Sequence, residues 1–321
     1  MLTPAQLQQV KAAYVDVDVD GLASISPRVA NNAQVALKFF RPGEDAMART
    51  EAALLQHLQA LRSPHVRVQQ LVSTSSGAPL LIIDERQVLL TRFVHGTRKS
   101  YSELVDDEWR GLGVGLAALH DALIGATPGV PLLRDSLQRL DVVGELERIQ
   151  RDQNTIEGDD VDGAAFSEFF SDRAALLREY GPRCRAHLDA ISTWAPIHND
   201  YNENNYLFVD GSPPFILDWD RAILAPHEYD VVRCLNHLPL VAPARAAAFL
   251  AGYRALRALD PGLLAWSVAA ALVSHAVKHW PVEKFFAGEP GARERLRAMA
   301  EMVRVLVRRR RELDAFFGAA A

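Results

Sequence analysis

The stretch HNDYNENNYLFVDGSPPFILDWD (198–220) decides the fold of this chain. It opens with a polar run in which Asp200 is followed five residues later by Asn205, and it closes with Asp218 after an apolar run. Its two apolar segments flank Gly-Ser-Pro-Pro and predict two short strands joined by a turn. Because a strand–turn–strand unit brings its ends together, we expect these three side chains to lie close to one another. A carboxylate that deprotonates a hydroxyl, beside oxygen ligands for Mg²⁺, is typical of phosphoryl transfer.

The residues upstream of this stretch predict a small region made mostly of strands. Apolar segments at 34–40, 80–84 and 87–94 predict strands, the last two as a hairpin. The alternating VDVDV at 15–19 predicts a further strand, whereas the apolar spacing of 47–61 predicts a helix.

The character of the chain changes to helical after residue 94. Residues 102–123 predict a long amphipathic helix with Ser102 as its N-cap, and several helices are expected after residue 229. The sequence therefore predicts a β-rich domain at 1–94 and an α-rich domain at 95–321.

Composition and charge restrict the class of partner. The chain has 35 Lys and Arg against 40 Asp and Glu, and the net charge of −5 argues against a nucleic-acid partner. The longest apolar stretch, 263–277, is too short to cross a bilayer, and the amino terminus has no signal-peptide pattern. Cys184 and Cys234 form no disulfide framework, so we expect a reduced, cytoplasmic protein without a membrane partner.

Lys38 stands inside the apolar strand segment VALKFF (35–40). A buried ammonium group is costly unless a carboxylate pairs with it. Glu51, on the helix that follows, is the expected partner.

Together these motifs resemble the aminoglycoside phosphotransferase and choline kinase superfamily, whose members are related to protein kinases. The superfamily pattern is H-x-D-x-x-x-x-N followed by an apolar strand that ends in D-x-D, and this chain has His198, Asp200, Asn205 and then Asp218-Trp219-Asp220. The resemblance implies an α+β, protein-kinase-like fold of two lobes. The small lobe, 1–94, would hold an antiparallel sheet and bind nucleotide. The larger, mainly helical lobe, 95–321, would be catalytic and bind the substrate.

The resemblance also implies a role for each residue of the motif. Asp200 would be the catalytic base, and His198 would brace the catalytic loop. Asn205 and Asp218 would hold Mg²⁺, with Asp220 either assisting at the metal or lying behind it.

The same resemblance implies a binding site for ATP. Its cofactor-binding residues would be Lys38, Glu51, Ser24, Ser26, Phe93 and Val94. The lysine–glutamate pair would hold the α- and β-phosphates. The serines stand where many relatives have a glycine-rich phosphate loop, and the last two residues form the hinge that reads adenine.

Two residues of the catalytic loop depart from many relatives. Asn202 and Asn204 stand where those relatives have His and Gly. Since Asn tolerates left-handed backbone better than most residues, we expect Asn204 to keep the turn of the loop and Asn202 to alter substrate contacts.

The predicted activity is ATP- and Mg²⁺-dependent phosphorylation of a hydroxyl on a small-molecule alcohol. The acceptor could be an aminoglycoside-like antibiotic, a metabolite such as choline, homoserine or a sugar, or a protein Ser or Thr. A nucleotide-binding pseudokinase or scaffold is the alternative class, which the complete residue set disfavours.

The charge of one segment bears on the acceptor. Residues 131–180 hold 12 acidic and 6 basic side chains, with Asp159, Asp160 and Asp162 in one polar loop. By resemblance this segment covers the acceptor, so the excess of acid favours a cationic acceptor. The alternative interpretation is a solvated loop.

Overall fold

The computed structural model describes residues 2–126, 129–156, 163–210 and 212–319. Contacts divide the chain into two compact units. Unit 1 comprises Met1–Pro131, Ala195–Leu224 and Ala248–Arg257, and unit 2 comprises Leu132–Trp194, Ala225–Ala247 and Ala258–Ala321.

The described strands are short. They are β1 (Ala23–Ser24), β2 (Val29–Asn31), β3 (Val35–Phe39), β4 (Arg67–Val68), β5 (Leu81–Ile83), β6 (Arg86–Arg92), β7 (Ala195–Ile197), β8 (Tyr206–Leu207), β9 (Phe215–Ile216) and β10 (Ile223–Ala225).

Helices make up most of the remaining structure. They are α1 (Pro4–Ala13), α2 (Asp45–Leu58), α3 (Asp106–Ala122), α4 (Leu133–Gln138), α5 (Val142–Ile156), α6 (Gly163–Ala186), α7 (His227–Leu235), α8 (Leu238–Val241), α9 (Pro243–Arg254), α10 (Pro261–Ala276), α11 (Trp280–Phe286), α12 (Ala292–Arg308) and α13 (Arg310–Ala319).

An antiparallel sheet in unit 1 has the strand order β1-β2-β3-β6-β5. Alternation along β3 places Val35, Leu37 and Phe39 in a core that they share with Val10 of α1. Lys38 therefore lies on the opposite face of the sheet, where it is not part of this core. This small antiparallel sheet and the largely helical remainder confirm the predicted α+β, kinase-like fold class.

A hairpin closes the edge of this sheet. β5 and β6 pair antiparallel, with Ile83 opposite Arg86. Asp84 and Glu85 between them both have positive φ angles, 48° and 61°. Two successive positive φ angles match the right-handed twist of the flanking strands, so the predicted hairpin is confirmed.

The stretch 198–220 contributes to a second, three-stranded sheet of order β4-β9-β8. β8 and β9 pair antiparallel with Tyr206 opposite Ile216, and β4 runs parallel to β9. The catalytic-loop residues precede β8 and the D-x-D motif follows β9, as predicted.

Two sequence predictions of secondary structure are wrong. Residues 15–19 form a turn and irregular backbone rather than a strand, and the Asp18 carboxylate accepts the Asp20 N–H at 2.9 Å, a hydrogen bond typical of local turns. Helix α3 begins at Asp106, after Val105 rather than Ser102. The Glu108 carboxylate accepts the Val105 N–H at 3.1 Å, which satisfies the helix start without Ser102.

Unit 2 is built from helices, with α6 packed against α5, α10 and α12. Arg173 of α6 is fully buried and donates from Nε to the Ala276 carbonyl at 2.7 Å and from Nη2 to the Lys278 carbonyl at 3.3 Å. Its guanidinium also stands over Phe169 and Phe170, at 5.3 and 5.8 Å from the ring centroids. Hydrogen bonds from Arg173 therefore link α6 to the carboxyl-terminal end of α10.

The predicted boundary between residues 94 and 95 stays a prediction. Unit 1 extends beyond this boundary, because the units are defined by contacts and unit 1 includes segments from three parts of the chain. Among the residues that the structure describes, no helix is long and apolar enough to span a membrane.

Candidate active site

Three carboxylates surround the ammonium group of Lys38. Its Nζ lies 2.7 Å from Glu51 Oε2, 2.5 Å from Asp218 Oδ1 and 3.1 Å from Asp220 Oδ2. β3 supplies the lysine, α2 supplies the glutamate, and the turn after β9 supplies both aspartates. Residues that are distant in the sequence therefore meet at one charge cluster within unit 1.

The electrostatics of this cluster keep Lys38 charged. Burial by itself lowers the pKa of Lys38, but the three carboxylates outweigh it and the net pKa is raised. Burial raises the pKa of Glu51, against the opposing effect of Lys38. Burial also acts to raise the pKa of Asp218, but the attraction of Lys38 prevails and the net pKa is lowered. Lys38 and Asp218 are thus an ionised pair at neutral pH.

The three acids are not a metal-ligand set by themselves. Oxygens of Glu51, Asp218 and Asp220 lie within 4.8 Å of one another, a spacing compatible with a metal ion. The ammonium of Lys38, however, contacts all three, so it is the cation that these acids share in this structure.

Asn205 and Asp218 suit Mg²⁺ better. The Leu217 N–H donates to the Asn205 carbonyl at 3.0 Å, which places Asn205 beside the residue that precedes Asp218. The Asn205 Nδ2 donates to Asp200, so its Oδ1 is the atom available as a ligand. Asp218 keeps 45% of its side chain exposed. One amide oxygen and one accessible carboxylate fit a hard cation that retains several waters.

Two amides hold the carboxylate of Asp200. Asn202 Nδ2 donates to its Oδ1 at 2.8 Å, and Asn205 Nδ2 donates to its Oδ2 at 3.0 Å. Asn202, one of the departures from the family pattern, thus fixes the orientation of the predicted base.

His198 lies behind this carboxylate and is almost fully buried. Its Nε2 donates to the Leu217 carbonyl at 3.0 Å, because a carbonyl oxygen only accepts. Nδ1 is therefore the unprotonated nitrogen, and it accepts the Asp200 N–H at 3.3 Å. The ring also packs on Trp219, with centroids 4.6 Å apart. This geometry supports the bracing role that the resemblance implies.

The left-handed residues of the site are Asn199 and Asp218, with φ angles of 62° and 63°. The prediction that Asn204 takes this conformation is wrong. Asn202 closes the turn instead: its Oδ1 accepts the Asn204 N–H at 3.0 Å, and its carbonyl accepts the Asn205 N–H at 2.8 Å. A side-chain hydrogen bond thus closes the turn without a left-handed backbone at Asn204.

A cavity of about 580 Å³ adjoins the charge cluster within unit 1. Of the predicted site residues, those that line it are Ser26, Lys38, Glu51, Phe93, Val94, Asn205 and Asp218. The volume is in the range of small-molecule sites, and the cavity connects the predicted hinge to the predicted metal ligands.

The predicted phosphate-loop and hinge residues occupy different environments. Ser26 Oγ accepts the N–H groups of Arg28 and Val29 at 3.2 and 3.1 Å, so it also closes a turn. Ser24 lies on the exposed strand β1 and does not line the cavity. Phe93 donates its N–H to the Gln34 carbonyl at 2.8 Å, so that N–H is not available to a base.

Sequence reasoning missed several residues that build the site. The Gln69 Oε1 accepts the Asp218 N–H at 3.1 Å, and the Tyr201 hydroxyl donates to the Leu112 carbonyl of α3 at 3.0 Å. Arg28 contacts Asp220 at 3.5 Å. A glutamine within the apolar segment 66–72 was the one available signal for Gln69.

A sheet lysine paired with a helix glutamate, a braced H-x-D-x-x-x-x-N loop and a D-x-D turn together define a kinase-like phosphotransferase. The family model described as the phosphotransferase enzyme family matches residues 27–262. This chain belongs to that family and is accordingly a phosphotransferase of the kinase type, which acts on hydroxyl groups.

Solved structures with the same fold span nearly the whole chain. A spectinomycin phosphotransferase in complex with ADP and spectinomycin is 17% identical, with a TM-score of 0.63, and the match covers 95% of this chain and 97% of that one. An amicoumacin kinase is 11% identical, with a TM-score of 0.64 and coverages of 92% and 91%. A microcompartment-associated aminopropanol kinase is 18% identical, with a TM-score of 0.55 and coverages of 97% and 98%. A search of the curated proteins found no match.

Proposed function

We propose that the protein transfers the γ-phosphoryl group of ATP to a hydroxyl of a small molecule, with Mg²⁺ as the metal. The observation that carries this proposal is the position of Lys38 among Glu51, Asp218 and Asp220 at the wall of a cavity. A charged lysine held by a buried glutamate is suited to binding phosphate oxygens. Structural neighbours in complex with ADP or AMP-PNP support a nucleotide at this site.

Asp200 is the residue proposed to orient the acceptor hydroxyl. In the reaction, the acceptor oxygen forms a bond to the γ-phosphorus, the bond from that phosphorus to the bridging oxygen breaks, and ADP leaves. The hydroxyl proton passes to Asp200, whose carboxylate Asn202 and Asn205 hold in place. When bound, Mg²⁺ would supply charge neutralisation at the phosphates, and Asn205 and Asp218 would hold it.

The acceptor proposed here is an alcohol that also carries an amine, such as an aminoglycoside-like compound or an amino alcohol. The structural neighbours named for spectinomycin, amicoumacin and aminopropanol support this class. The acid excess of residues 131–180 supports it as well. Asp159, Asp160 and Asp162 lie outside the described residues, so this argument rests on sequence.

An acceptor panel tests the proposal. Purified protein, ATP and Mg²⁺ are incubated with aminoglycosides, amino alcohols, homoserine, neutral sugars and a protein substrate, and mass spectrometry detects a gain of ~80 Da per phosphoryl group. We expect the gain on an amine-bearing alcohol and its loss in Asp200→Asn. Phosphorylation of a neutral sugar or a protein alone would overturn the acceptor class. Nucleotide binding without any transfer would instead indicate the pseudokinase alternative.

A further inference from the structure

Arg28 lies between β1 and β2 and contacts two acids from separate parts of unit 1. Its Nη2 lies 3.0 Å from Glu44 Oε2 and 3.5 Å from Asp220 Oδ2, and its Nε donates to the Phe39 carbonyl at 3.4 Å. The Arg28 side chain is 24% exposed, whereas the Asp220 side chain is only 6% exposed. Arg28 is therefore a cation that reaches a nearly buried carboxylate of the D-x-D motif.

Glu44 anchors Arg28 to the connection before α2. The same Glu44 oxygen that contacts Arg28 accepts the Arg41 N–H at 2.9 Å. One guanidinium thus joins the turn that carries Ser26, the start of α2 and the turn after β9. The contact with Glu44 ties backbone segments together, whereas the contact with Asp220 reaches the charge cluster of Lys38.

The charges of the enlarged cluster do not balance. Arg28, Lys38 and Arg221 contribute three positive charges, because Arg221 Nε also lies 3.7 Å from Asp220 Oδ1, and the four acids in contact with these cations contribute four negative charges when ionised, which leaves −1. Those acids are Glu44, Glu51, Asp218 and Asp220. The acids of this cluster therefore outnumber its cations.

Asp220 divides its attraction among three cations: Lys38 Nζ lies 3.1 Å and Arg28 Nη2 3.5 Å from its Oδ2, and the more exposed Arg221 Nε lies 3.7 Å from its Oδ1. A nearly buried carboxylate that loses one of its cations binds the remaining ones more strongly, because burial removes the competing water. Without Arg28, Asp220 would hold Lys38 more tightly and withdraw it from other anions. The phosphates of a nucleotide are the anions that need Lys38.

We propose that Arg28 is a positioning residue for phosphoryl transfer: it holds Asp220, and it thereby leaves Lys38 able to bind the phosphates of Mg²⁺-bound nucleotide. This inference rests on the proposed function and assigns Asp220 to the support of Lys38 rather than to the metal. Arg28 acts through Asp220 and Lys38 and does not itself contact the reacting atoms.

Three variants separate this role from a merely structural one. Arg28→Gln removes the positive charge, and Arg28→Lys keeps a positive charge but lacks the planar guanidinium group. Glu44→Gln removes the negative charge of the residue that anchors Arg28 and leaves Arg28 beside Asp220. Calorimetry with AMP-PNP, with and without Mg²⁺, gives the binding readout, and thermal unfolding monitors the fold.

We expect Arg28→Gln to weaken Mg²⁺·AMP-PNP binding by about 10- to 100-fold, as for other residues that support a site's direct ligands. Arg28→Lys should recover most of this loss, and Glu44→Gln should stay within about twofold of the parent, because a glutamine amide oxygen can still accept from Arg28 and from the Arg41 N–H.

A double-mutant cycle with Asp220→Asn provides the decisive control. If Arg28 acts by holding the charge of Asp220, Arg28→Gln should have little further effect in the Asp220→Asn background. Losses that multiply in the double variant would overturn the proposal, as would equal losses in Glu44→Gln and Arg28→Gln. If Arg28→Gln does not fold, Arg28→Lys replaces it in the cycle, and the loss that it causes should disappear in the Asp220→Asn background; a loss that persists there would overturn the proposal. Failure of the parent protein to bind Mg²⁺·AMP-PNP would instead contradict the proposed function.

Discussion

Each compact unit contains a buried cation, and the two cations have opposite surroundings. Lys38 of unit 1 contacts three carboxylates within 3.1 Å. Arg173 of unit 2 donates to two backbone carbonyls and stands over two phenylalanine rings, and no carboxylate forms an ion pair with it among the described residues. Burial lowers the pKa of Arg173 to about 10, although Asp152 and Glu145 act in the opposite direction.

The difference separates a structural cation from a functional one. Arg173 directs its Nε and Nη2 groups to backbone carbonyls and to His279 Nδ1. Asp152 and Glu145 act on its charge only from a distance, so no group of excess acids surrounds it in the described part of the chain. Lys38 lies among more acids than one ammonium can neutralise, and such an excess is costly unless another cation binds. We therefore expect Lys38, which lies among an excess of acids, to matter for function, and Arg173, which donates to backbone carbonyls, to matter for stability.

The largest effect is expected beside the acid cluster of unit 1. Asp200→Asn keeps the shape of the side chain but removes the base, so turnover should fall by roughly 10²- to 10⁴-fold. The affinity for ATP should change little, because the residue is proposed to face the acceptor. Steady-state kinetics and calorimetry on the same preparation check both statements. Normal turnover would remove Asp200 from the mechanism.

The Lys38–Glu51 pair tests whether the acids around Lys38 act as a unit. Lys38→Ala and Glu51→Ala should each lower kcat/KM by about 10²-fold, because the first leaves the buried Glu51 without its cation and the second lets Lys38 shift toward the two aspartates. The double variant should be little worse than either single one, with a coupling free energy of about 1–3 kcal/mol. Additive losses in the cycle would show that the pair does not act together.

Arg173 should show the opposite pattern. Arg173→Met leaves buried carbonyls of Ala276 and Lys278 without this donor and should lower the free energy of unfolding by about 2–3 kcal/mol. The kcat of the folded enzyme should stay near the parent value. Chemical denaturation beside kinetics measures both quantities. A large loss of kcat at full folding would break the distinction between the two cations.

Asp218 provides the smallest of these effects and the sharpest test of the metal assignment. Asp218→Ala should weaken Mg²⁺·AMP-PNP binding by about 10- to 100-fold while metal-free binding changes much less. Asp45→Ala, an acid at the start of α2 outside the charge cluster, is the matched control. Equal losses with and without Mg²⁺ would reject Asp218 as a metal ligand.

The sequence was sufficient to predict which site residues lie together where those residues are close to one another in the chain. His198, Asp200 and Asn205 belong to one loop, and Asp218 follows one hairpin later, so local spacing predicts their proximity. The Lys38–Glu51 pair could be predicted from the sequence, because a lysine within an apolar strand needs a carboxylate partner and the next helix contains one.

Other features depend on contacts that spacing does not encode. The approach of Arg28 to Asp220 joins segments far apart in sequence, so neither residue signals the other. Asn204 was assigned the left-handed backbone from its propensity, but hydrogen bonds from Asn202 make that conformation unnecessary. The alternation of VDVDV is typical of a strand, but Asp18 in this segment accepts a local backbone N–H instead.

The left-handed backbone of Asp218 restricts which substitutions the protein can tolerate at this position. Most residues pay a steric penalty there through their Cβ atom, whereas glycine, asparagine and aspartate are accommodated best. Of these three, only aspartate also provides a carboxylate for Lys38. We therefore expect a library with all amino acids at position 218 to give different results in a screen for folding and in a screen for turnover. Screening for folding should enrich the three tolerated residues, and screening for turnover should retain aspartate alone.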